Sequence, residues 1–192
     1  MKNRIRLAVF ASGNGTNAEN IVRFFQNNYE IKVELVLTNN PSAGVIQKMN
    51  ILKVPVFLFD KLMFYQSNSV LNELQKHAID YIVLAGFLWL VPQSLLNAYP
   101  NKIINIHPAL LPKYGGKGMY GNKVHKAVIE QNETISGITI HLVNEEYDKG
   151  RILFQATCPV LSSSIEDLAN RIHSLEYLYY PSTIEAWIKS II

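Results

Sequence analysis

Short apolar runs alternate with amphipathic segments along the first half of the chain. The runs are rich in Val, Ile and Leu, as is typical of strands buried inside a parallel sheet. The segments between them repeat apolar residues at helical spacing. We predict the strands Ile5–Phe10, Ile31–Thr38, Val54–Leu58, Tyr81–Leu84 and Ile103–Ile106, and the helices Ala18–Phe25, Ala43–Leu52 and Leu71–His77.

The pattern changes in the last third of the chain. Two strand-like segments, Ile135–Val143 and Arg151–Pro159, are joined by the polar turn Asn144–Gly150, which favours an antiparallel pair. The sequence Ser163-Ser164-Ile165-Glu166 is a capping-box signature, and it predicts a final helix. Pro181 should break or kink that helix, because proline donates no backbone hydrogen bond.

Strands that alternate with helices indicate an α/β fold. We predict a single domain over residues 1–192. It should contain one doubly wound, mostly parallel sheet with helices on both faces and a late antiparallel strand. Ligands of such sheets bind outside the carboxyl ends of the strands, so the loops after the strands are the places to search for chemistry.

Composition narrows the possible partners. The 192 residues carry a net charge of +3 without a cluster of Lys or Arg. We therefore expect neither a nucleic-acid groove nor binding to an anionic membrane, whereas a small anionic ligand is compatible. Cys158 is the only cysteine, so it forms no internal disulfide and is best interpreted as a core residue.

Targeting and membrane segments are not expected in this sequence. The apolar run Leu7–Ala11 is too short for a signal-peptide core. The stretch Tyr81–Val91 falls below the roughly 18 residues that a membrane helix needs. We predict a cytoplasmic protein in a reducing compartment.

A glycine loop, Ser12–Asn17, lies between the first predicted strand and the first helix. Such a loop can place backbone N–H groups and a helix N-terminus around a phosphate. It can equally be a tight turn in which Thr16 or Asn17 caps the helix. With Ala18 the loop fits a loose dinucleotide fingerprint, but Thr38-Asn39-Asn40 supplies no carboxylate for a ribose. This favours a simple phosphate monoester.

Asn105 and His107 lie two residues apart at the end of the fifth predicted strand. In a strand this spacing directs both side chains to the same face. An amide donor beside an imidazole can stabilise an oxyanion, and the imidazole can also move protons near neutral pH. The alternative is a hydrogen-bonded Asn and a structural His. The Pro- and Gly-rich segment Pro108–Gly121 that follows has the composition of a loop.

Asp148 and His141 are weaker candidates near the antiparallel pair. If Asp148 reaches His107, its charge should raise the pKa of the imidazole; otherwise Asn144–Gly150 is an ordinary solvated turn. His141 is close to Asp148 in sequence, so it is a candidate to contact the catalytic residues without touching the substrate. No histidine pair has metal-ligand spacing with a third ligand nearby, so we predict no metal.

Four motifs follow one another along the chain: Gly13-Asn14-Gly15-Thr16-Asn17, Leu84-Ala85-Gly86-Phe87, Asn105-Ile106-His107-Pro108 with Leu110-Leu111-Pro112-Lys113-Tyr114, and Asp148-Lys149-Gly150. In order and approximate spacing they resemble the folate-dependent formyltransferases, over essentially the whole chain. The resemblance implies transfer of the formyl group of 10-formyltetrahydrofolate, a co-substrate, to the amino group of glycinamide ribonucleotide in purine biosynthesis. It implies small-molecule partners, no nucleic acid, no membrane, no metal, and a monomer or homodimer.

The resemblance also assigns residues. Asn105, His107 and Asp148 would be catalytic: the amine attacks the formyl carbon directly, Asn105 and His107 stabilise the oxyanion, and Asp148 keeps His107 protonated. Glu176 would place the amine end of the substrate. The substrate phosphate would be held by Gly13, Asn14, Gly15, Thr16 and Asn17. The folate would be lined by Leu88, Trp89, Leu90, Val91, Asn105, Asn144, Glu145, Glu146 and Tyr147.

Three features depart from the family pattern. The loop Gly115–Gly121 is longer than is usual in the family. Lys61 is the only cation where the family usually has an Arg, and Trp89 stands where a smaller or basic residue is expected. Two other activities of the family are not expected. Formylation of a transfer RNA would call for a C-terminal RNA-binding domain, and hydrolysis of the formyl folate for an extra N-terminal domain. A sugar-amine formyltransferase would keep the catalytic group, whereas a non-catalytic nucleotide-binding module need not.

Overall fold

Seven strands and seven helices make up the part of the chain that the computed structural model describes, residues 4–191. The strands are β1 (Ile5–Phe10), β2 (Ile31–Thr38), β3 (Val56–Leu58), β4 (Tyr81–Leu84), β5 (Ile103–His107), β6 (Ile135–Leu142) and β7 (Ile152–Pro159). The helices are α1 (Thr16–Phe25), α2 (Gly44–Leu52), α3 (Lys61–Tyr65), α4 (Ser69–Lys76), α5 (Gln93–Ala98), α6 (Asn122–Glu130) and α7 (Ile165–Lys189).

The strands form one sheet in the order β3-β2-β1-β4-β5-β6-β7. β1 pairs in parallel with β2 and with β4, and β2 pairs in parallel with β3. β6 and β7 are antiparallel. The strand order reverses between β1 and β4, which is the switch point where doubly wound sheets bind ligands. The prediction of one mostly parallel sheet with a late antiparallel strand is therefore confirmed.

The contacts within the chain divide it into two compact units, one up to Ile104 and one from Asn105 onward, so the division falls inside β5. In the first unit, β1 and β2 are buried almost throughout because they lie inside the sheet and α1 packs against β2. An aromatic cluster of Phe10, Phe59 and Phe64 completes its core. The cluster lies at the carboxyl end of β1.

In the second unit, α7 packs against β6, β7 and α6. The predicted final helix is confirmed, but its cap is one residue later than the capping box implies: Ser164 accepts a hydrogen bond from Asp167 N. The helix does not stop at Pro181 but continues to Lys189. Pro181 itself is buried, and the Ser182 hydroxyl donates to carbonyl oxygens of the preceding turn. Packing thus offsets the hydrogen bond that proline cannot make.

Most boundaries of the predicted elements hold within two residues, but three helices were missed. α3 and α5 are too short to show a helical period, and α6 follows directly after the glycine-rich loop. Within residues 4–191, no group of three or more His, Cys, Asp or Glu side chains is placed to hold a metal ion. No helix in that part of the chain is long and apolar enough to cross a membrane.

Candidate active site

The glycine loop of the first unit follows β1 at the switch point of the sheet. Gly15 has a φ of 75° and precedes the first residue of α1. A Cβ at Gly15 would lie 2.4 Å from Val45 Cβ, so only glycine fits here. The alternative that Thr16 or Asn17 caps the helix is wrong, because Gly15 is the cap residue and no side chain caps α1. The loop therefore leads its backbone straight into a helix N-terminus, which favours an anion.

Ser12 connects this loop to the segment that follows β4. Ser12 N donates to Gly86 O at 3.1 Å, and Leu88 N donates to Ser12 Oγ at 3.3 Å. Asn40 Nδ2 donates to Ser12 O at 3.2 Å. The loops after β1, β2 and β4 are thus hydrogen-bonded to one residue at the carboxyl end of the strands. The structure brings the predicted phosphate loop and the predicted folate segment together.

The predicted folate-binding segment, Leu88–Val91, contains both exposed and buried side chains. Leu88 is exposed, Trp89 and Leu90 are half-buried, and Val91 is buried in the core. Leu90 O accepts a hydrogen bond from the Tyr65 hydroxyl at 3.0 Å. Lys61 Nζ lies 5.9 Å from the centre of the Trp89 ring, a cation–π distance. Lys61 and Trp89, two of the departures from the family pattern, are therefore neighbours.

In the second unit, Asp148 lies beside His107. His107 Nδ1 is 3.4 Å from Asp148 Oδ2, and His107 Nε2 is 2.8 Å from Tyr114 O. Asp148 has a φ of 56°, an uncommon backbone conformation for a residue other than glycine. Gly116 N donates to Asp148 Oδ2 at 2.9 Å. The turn after β6 and the loop after β5 thus meet around the imidazole of His107.

The pKa of His107 depends on burial and on its charged neighbours, which act in opposite directions. Burial is the largest effect on the pKa of His107 and lowers it. The Asp148 charge and the Tyr114 carbonyl raise this pKa, the charge of His141 lowers it, and the net pKa lies below the usual value. The expectation that the Asp148 charge raises the pKa of His107 is confirmed, but His107 is only 3% exposed and its burial is the larger effect, so the net direction is downward. Burial also raises the pKa of Asp148, but hydrogen bonds and charge from His141, His107 and Gly116 lower it below its usual value.

Asn105 contacts His141 and Asp148 through its amide nitrogen. Asn105 Nδ2 lies 3.1 Å from His141 Nε2 and 3.5 Å from Asp148 Oδ1. His141 Nδ1 lies 2.8 Å from Leu142 O. The Asn105 amide nitrogen, which was predicted to stabilise an oxyanion, is therefore directed at the side chains of His141 and Asp148. His141, expected to support the catalytic residues, does contact both Asn105 and Asp148.

The remaining predicted residues of the second unit lie in the polar turn after β6 and in α7. Asn144 Oδ1 accepts from Glu146 N at 3.1 Å within the polar turn. Glu145 and Glu146 are exposed, and Tyr147 is half-buried. Glu176 lies in α7 and is 6% exposed. Burial and the charge of Glu176 raise the pKa of Tyr180 well above its usual value.

Three polar groups, beside the glycine loop or beside His107 and Asp148, were not predicted from the sequence. They are the Tyr114 carbonyl, the Gly116 N–H and the Ser12 hydroxyl. Two are backbone groups, which residue identity does not reveal. The pair Gly115-Gly116 was the available signal, since Gly116 has a φ of 99° and brings its backbone close to a carboxylate.

Comparisons with known proteins show the family of this chain. A family model described as formyl transferase matches residues 5–184, so the chain belongs to the formyl transferase family. A phosphoribosylglycinamide formyltransferase of Bacillus subtilis is 37% identical, with 94% of this chain and 93% of that protein covered. The crystal structure of phosphoribosylglycinamide formyltransferase from Bacillus halodurans is similar with a TM-score of 0.87, 34% identity and 97% of each chain covered.

Plant relatives are longer than this chain. The chloroplastic phosphoribosylglycinamide formyltransferase of Arabidopsis thaliana is 41% identical over 95% of this chain. The chain spans 65% of the length of that relative and 61% of the length of its counterpart in Vigna unguiculata.

Proposed function

We propose that this protein transfers the formyl group of 10-formyltetrahydrofolate to the amino group of glycinamide ribonucleotide, in purine biosynthesis. The observation that carries the proposal is the buried contact between His107 and Asp148, with Asn105 on the same strand as His107. Membership of the formyl transferase family supports the reaction class. The names of the bacterial and plant relatives support glycinamide ribonucleotide as the acceptor.

The catalytic group in this proposal is Asn105, His107 and Asp148. The substrate amine attacks the formyl carbon, and Asn105 and His107 would stabilise the negative charge that develops on the formyl oxygen. Because burial lowers the pKa of His107, the imidazole starts neutral and can accept the proton that the attacking amine releases. Asp148 then stabilises the imidazolium, which passes the proton to the departing folate nitrogen. No covalent enzyme intermediate forms.

The substrates are assigned by the two groups of loops. The loop Gly13, Asn14, Gly15, Thr16 and Asn17 would hold the phosphate, since it ends at the N-terminus of α1. Glu176 would place the amine end of glycinamide ribonucleotide. The folate would contact Leu88, Trp89, Leu90, Val91, Asn105, Asn144, Glu145, Glu146 and Tyr147. These assignments come from the family resemblance.

The wider setting is part of the same proposal. We propose that residues 1–192 act as one formyltransferase domain, because the family model extends across both compact units. Residues 1–3 and 192 lie outside the described part of the chain. The enzyme would act in the cytoplasm as a monomer or homodimer, on small molecules, without metal, nucleic acid or membrane.

The test is formyl transfer from 10-formyltetrahydrofolate, followed by absorbance, with glycinamide ribonucleotide and a nucleotide-linked amino sugar as parallel acceptors. Turnover with glycinamide ribonucleotide alone supports the proposal. Turnover with the amino sugar alone would keep the catalytic group but reject the acceptor. Binding of the folate without turnover on either acceptor would reject the enzymatic proposal in favour of a binding module.

A further inference from the structure

Tyr114 has a backbone conformation that a tyrosine rarely adopts. Its φ is 57°, in the left-handed region that is disfavoured for a residue with a Cβ. Two contacts hold the residue at its two ends. Its carbonyl oxygen lies 2.8 Å from His107 Nε2, and its hydroxyl donates to Glu133 Oε1 at 2.8 Å. Such a conformation persists only where the surrounding contacts fix it.

Glu133 lies between α6 and β6, outside the proposed catalytic group. Its Oε1 also accepts from Lys113 Nζ at 2.8 Å. The hydrogen bonds from Lys113 and from the Tyr114 hydroxyl lower the pKa of Glu133. Glu133 is therefore a carboxylate at neutral pH, and it accepts hydrogen bonds from two consecutive residues of the segment after β5.

The start of the same segment is held by a separate set of hydrogen bonds. Thr139 Oγ1 donates to Ala109 O at 2.7 Å and accepts from Leu111 N at 3.0 Å. Gln155 Nε2 donates to Leu111 O at 3.1 Å and to Thr139 Oγ1 at 2.8 Å. Thr139 is fully buried. Loss of a contact further along should therefore release the later part of the segment without unfolding its start.

We propose that Glu133 is a positioning residue that holds the Tyr114 carbonyl against His107 through the Tyr114 hydroxyl. The inference rests on the proposed formyl transfer, in which His107 accepts a proton and has to be held in place. Misplacement of a catalytic group by about 1 Å can lower a rate up to 10²-fold. Gly116, two residues after Tyr114, donates to Asp148 Oδ2 at 2.9 Å, so the same restraint reaches the carboxylate beside the imidazole.

An ordinary surface ion pair would make a different prediction. The side chains of Lys113 and Glu133 are 69% and 28% exposed, and ion pairs of this kind contribute little. Lys113→Gln removes the ion pair but keeps the hydrogen bond between Tyr114 and Glu133. We expect this variant to keep kcat within about twofold. A loss as large as that of Glu133→Ala would assign the effect to the ion pair and overturn the proposal.

The matched test compares Glu133→Ala, Glu133→Gln and Tyr114→Phe. Gln keeps an oxygen that can accept from the Tyr114 hydroxyl, so kcat should stay within about threefold. Glu133→Ala and Tyr114→Phe should each lower kcat about tenfold, with the KM for glycinamide ribonucleotide unchanged. Tyr120→Phe also removes a hydroxyl from this segment, one that contacts Lys123, and should be neutral. Equal kcat values in Glu133→Ala and Glu133→Gln would overturn the proposal.

A double variant tests whether the two residues act as one unit. If Glu133 acts only through the Tyr114 hydroxyl, Glu133→Ala combined with Tyr114→Phe should lose no more kcat than either single variant. Losses that multiply to about a hundredfold would show independent roles and reject the coupling.

The titration of His107 gives a result that does not depend on turnover. Burial lowers the pKa of His107, the Asp148 charge and the Tyr114 carbonyl raise it, and the charge of His141 lowers it. Loss of the carbonyl contact should therefore shift the titration of the His107 ring resonances to lower pH in Tyr114→Phe and in Glu133→Ala. An unchanged titration in both variants would overturn the proposal even if formyl transfer is confirmed. A shift without formyl transfer would reject the proposed reaction and leave the positioning contact supported.

Discussion

His107 Nδ1 and Asp148 Oδ2 lie 3.4 Å apart, yet the carboxylate does not compensate for the burial of the imidazole. A nearby opposite charge favours the imidazolium, while removal from water favours the neutral ring. In this protein the second effect is the larger one. His107 is therefore suited to receive a proton during the reaction rather than to carry one beforehand.

Replacing Asp148 with Asn should lower the pKa of His107 further. The carboxylate is the main group that raises this pKa, so its removal leaves desolvation opposed only by the Tyr114 carbonyl. The His107 ring resonances followed by NMR against pH should titrate at lower pH than in the wild type. Turnover should fall by about 10²-fold or more, because the imidazolium formed during reaction loses its partner.

Glu130→Gln is the matched control for Asp148→Asn, since it also converts a carboxylate to an amide but lies exposed in α6. It should leave both turnover and the titration of His107 as in the wild type. If Asp148→Asn leaves the pKa of His107 in place, the carboxylate does not act on the imidazole as described.

Replacing His107 with Ala should lower kcat by about two to four powers of ten, the usual contribution of an acid–base group. The ring would no longer accept the amine proton or stabilise the formyl oxygen. Steady-state kinetics with 10-formyltetrahydrofolate and glycinamide ribonucleotide measure the loss. His77→Gln, a change at the end of α4 in the other unit, should be neutral. Turnover close to the wild type in His107→Ala would remove His107 from the mechanism.

Replacing Gly15 with Ala should both destabilise the protein and weaken phosphate binding. The φ of 75° alone costs an alanine about 1–3 kcal/mol, and the added Cβ meets Val45. Urea unfolding and the KM for glycinamide ribonucleotide report the two effects. Gly13→Ala is the comparison for stability, because nothing lies within 4 Å of a Cβ there. Similar losses of stability in both variants would contradict the packing argument.

Acid should destabilise the protein through His125. Burial lowers the pKa of His125 from 6.5 to about 4, with smaller contributions from His173 and His107. Between these pH values the unfolded chain binds a proton that the folded chain does not. Stability should therefore fall by roughly 3 kcal/mol as pH drops from 6.5 to 4, and change little from this group above 6.5.

Urea unfolding of the wild type and of His125→Gln at a series of pH values measures this contribution. The free energy of unfolding should fall less steeply with acid in His125→Gln, because glutamine does not titrate. Parallel curves for the two proteins between pH 6.5 and pH 4 would show that His125 does not carry the effect.

The sheet and the strand that bears Asn105 and His107 could be predicted because they depend on local patterns. Period-two spacing placed the two side chains on one face, and alternation of strands and helices predicted the parallel sheet. The net direction of the His107 pKa could not be predicted, since it depends on burial by many residues distant in sequence. The contact of His141 with Asn105 joins residues 36 positions apart. No local pattern in the sequence predicts that these two side chains touch.

Pro181 shows that tertiary packing can override a local sequence preference. A local rule predicted a break or kink, but α7 continues through this residue. The side chains of Tyr180 and Ile184 on either side are fully buried. Tertiary packing therefore decided the extent of the helix where the local preference opposed it.

The Tyr114 carbonyl and the Asp148 carboxylate compete for the single hydrogen of a neutral His107 ring. A neutral His107 carries one hydrogen but faces two acceptors, Asp148 Oδ2 and Tyr114 O, so one nitrogen always meets an oxygen without a hydrogen between them. Both oxygens can accept a hydrogen bond from the ring once His107 carries a second proton. A proton taken up by His107 thus gives each ring nitrogen a hydrogen for its acceptor, so protonation of the imidazole strengthens its contact with the segment that carries Tyr114.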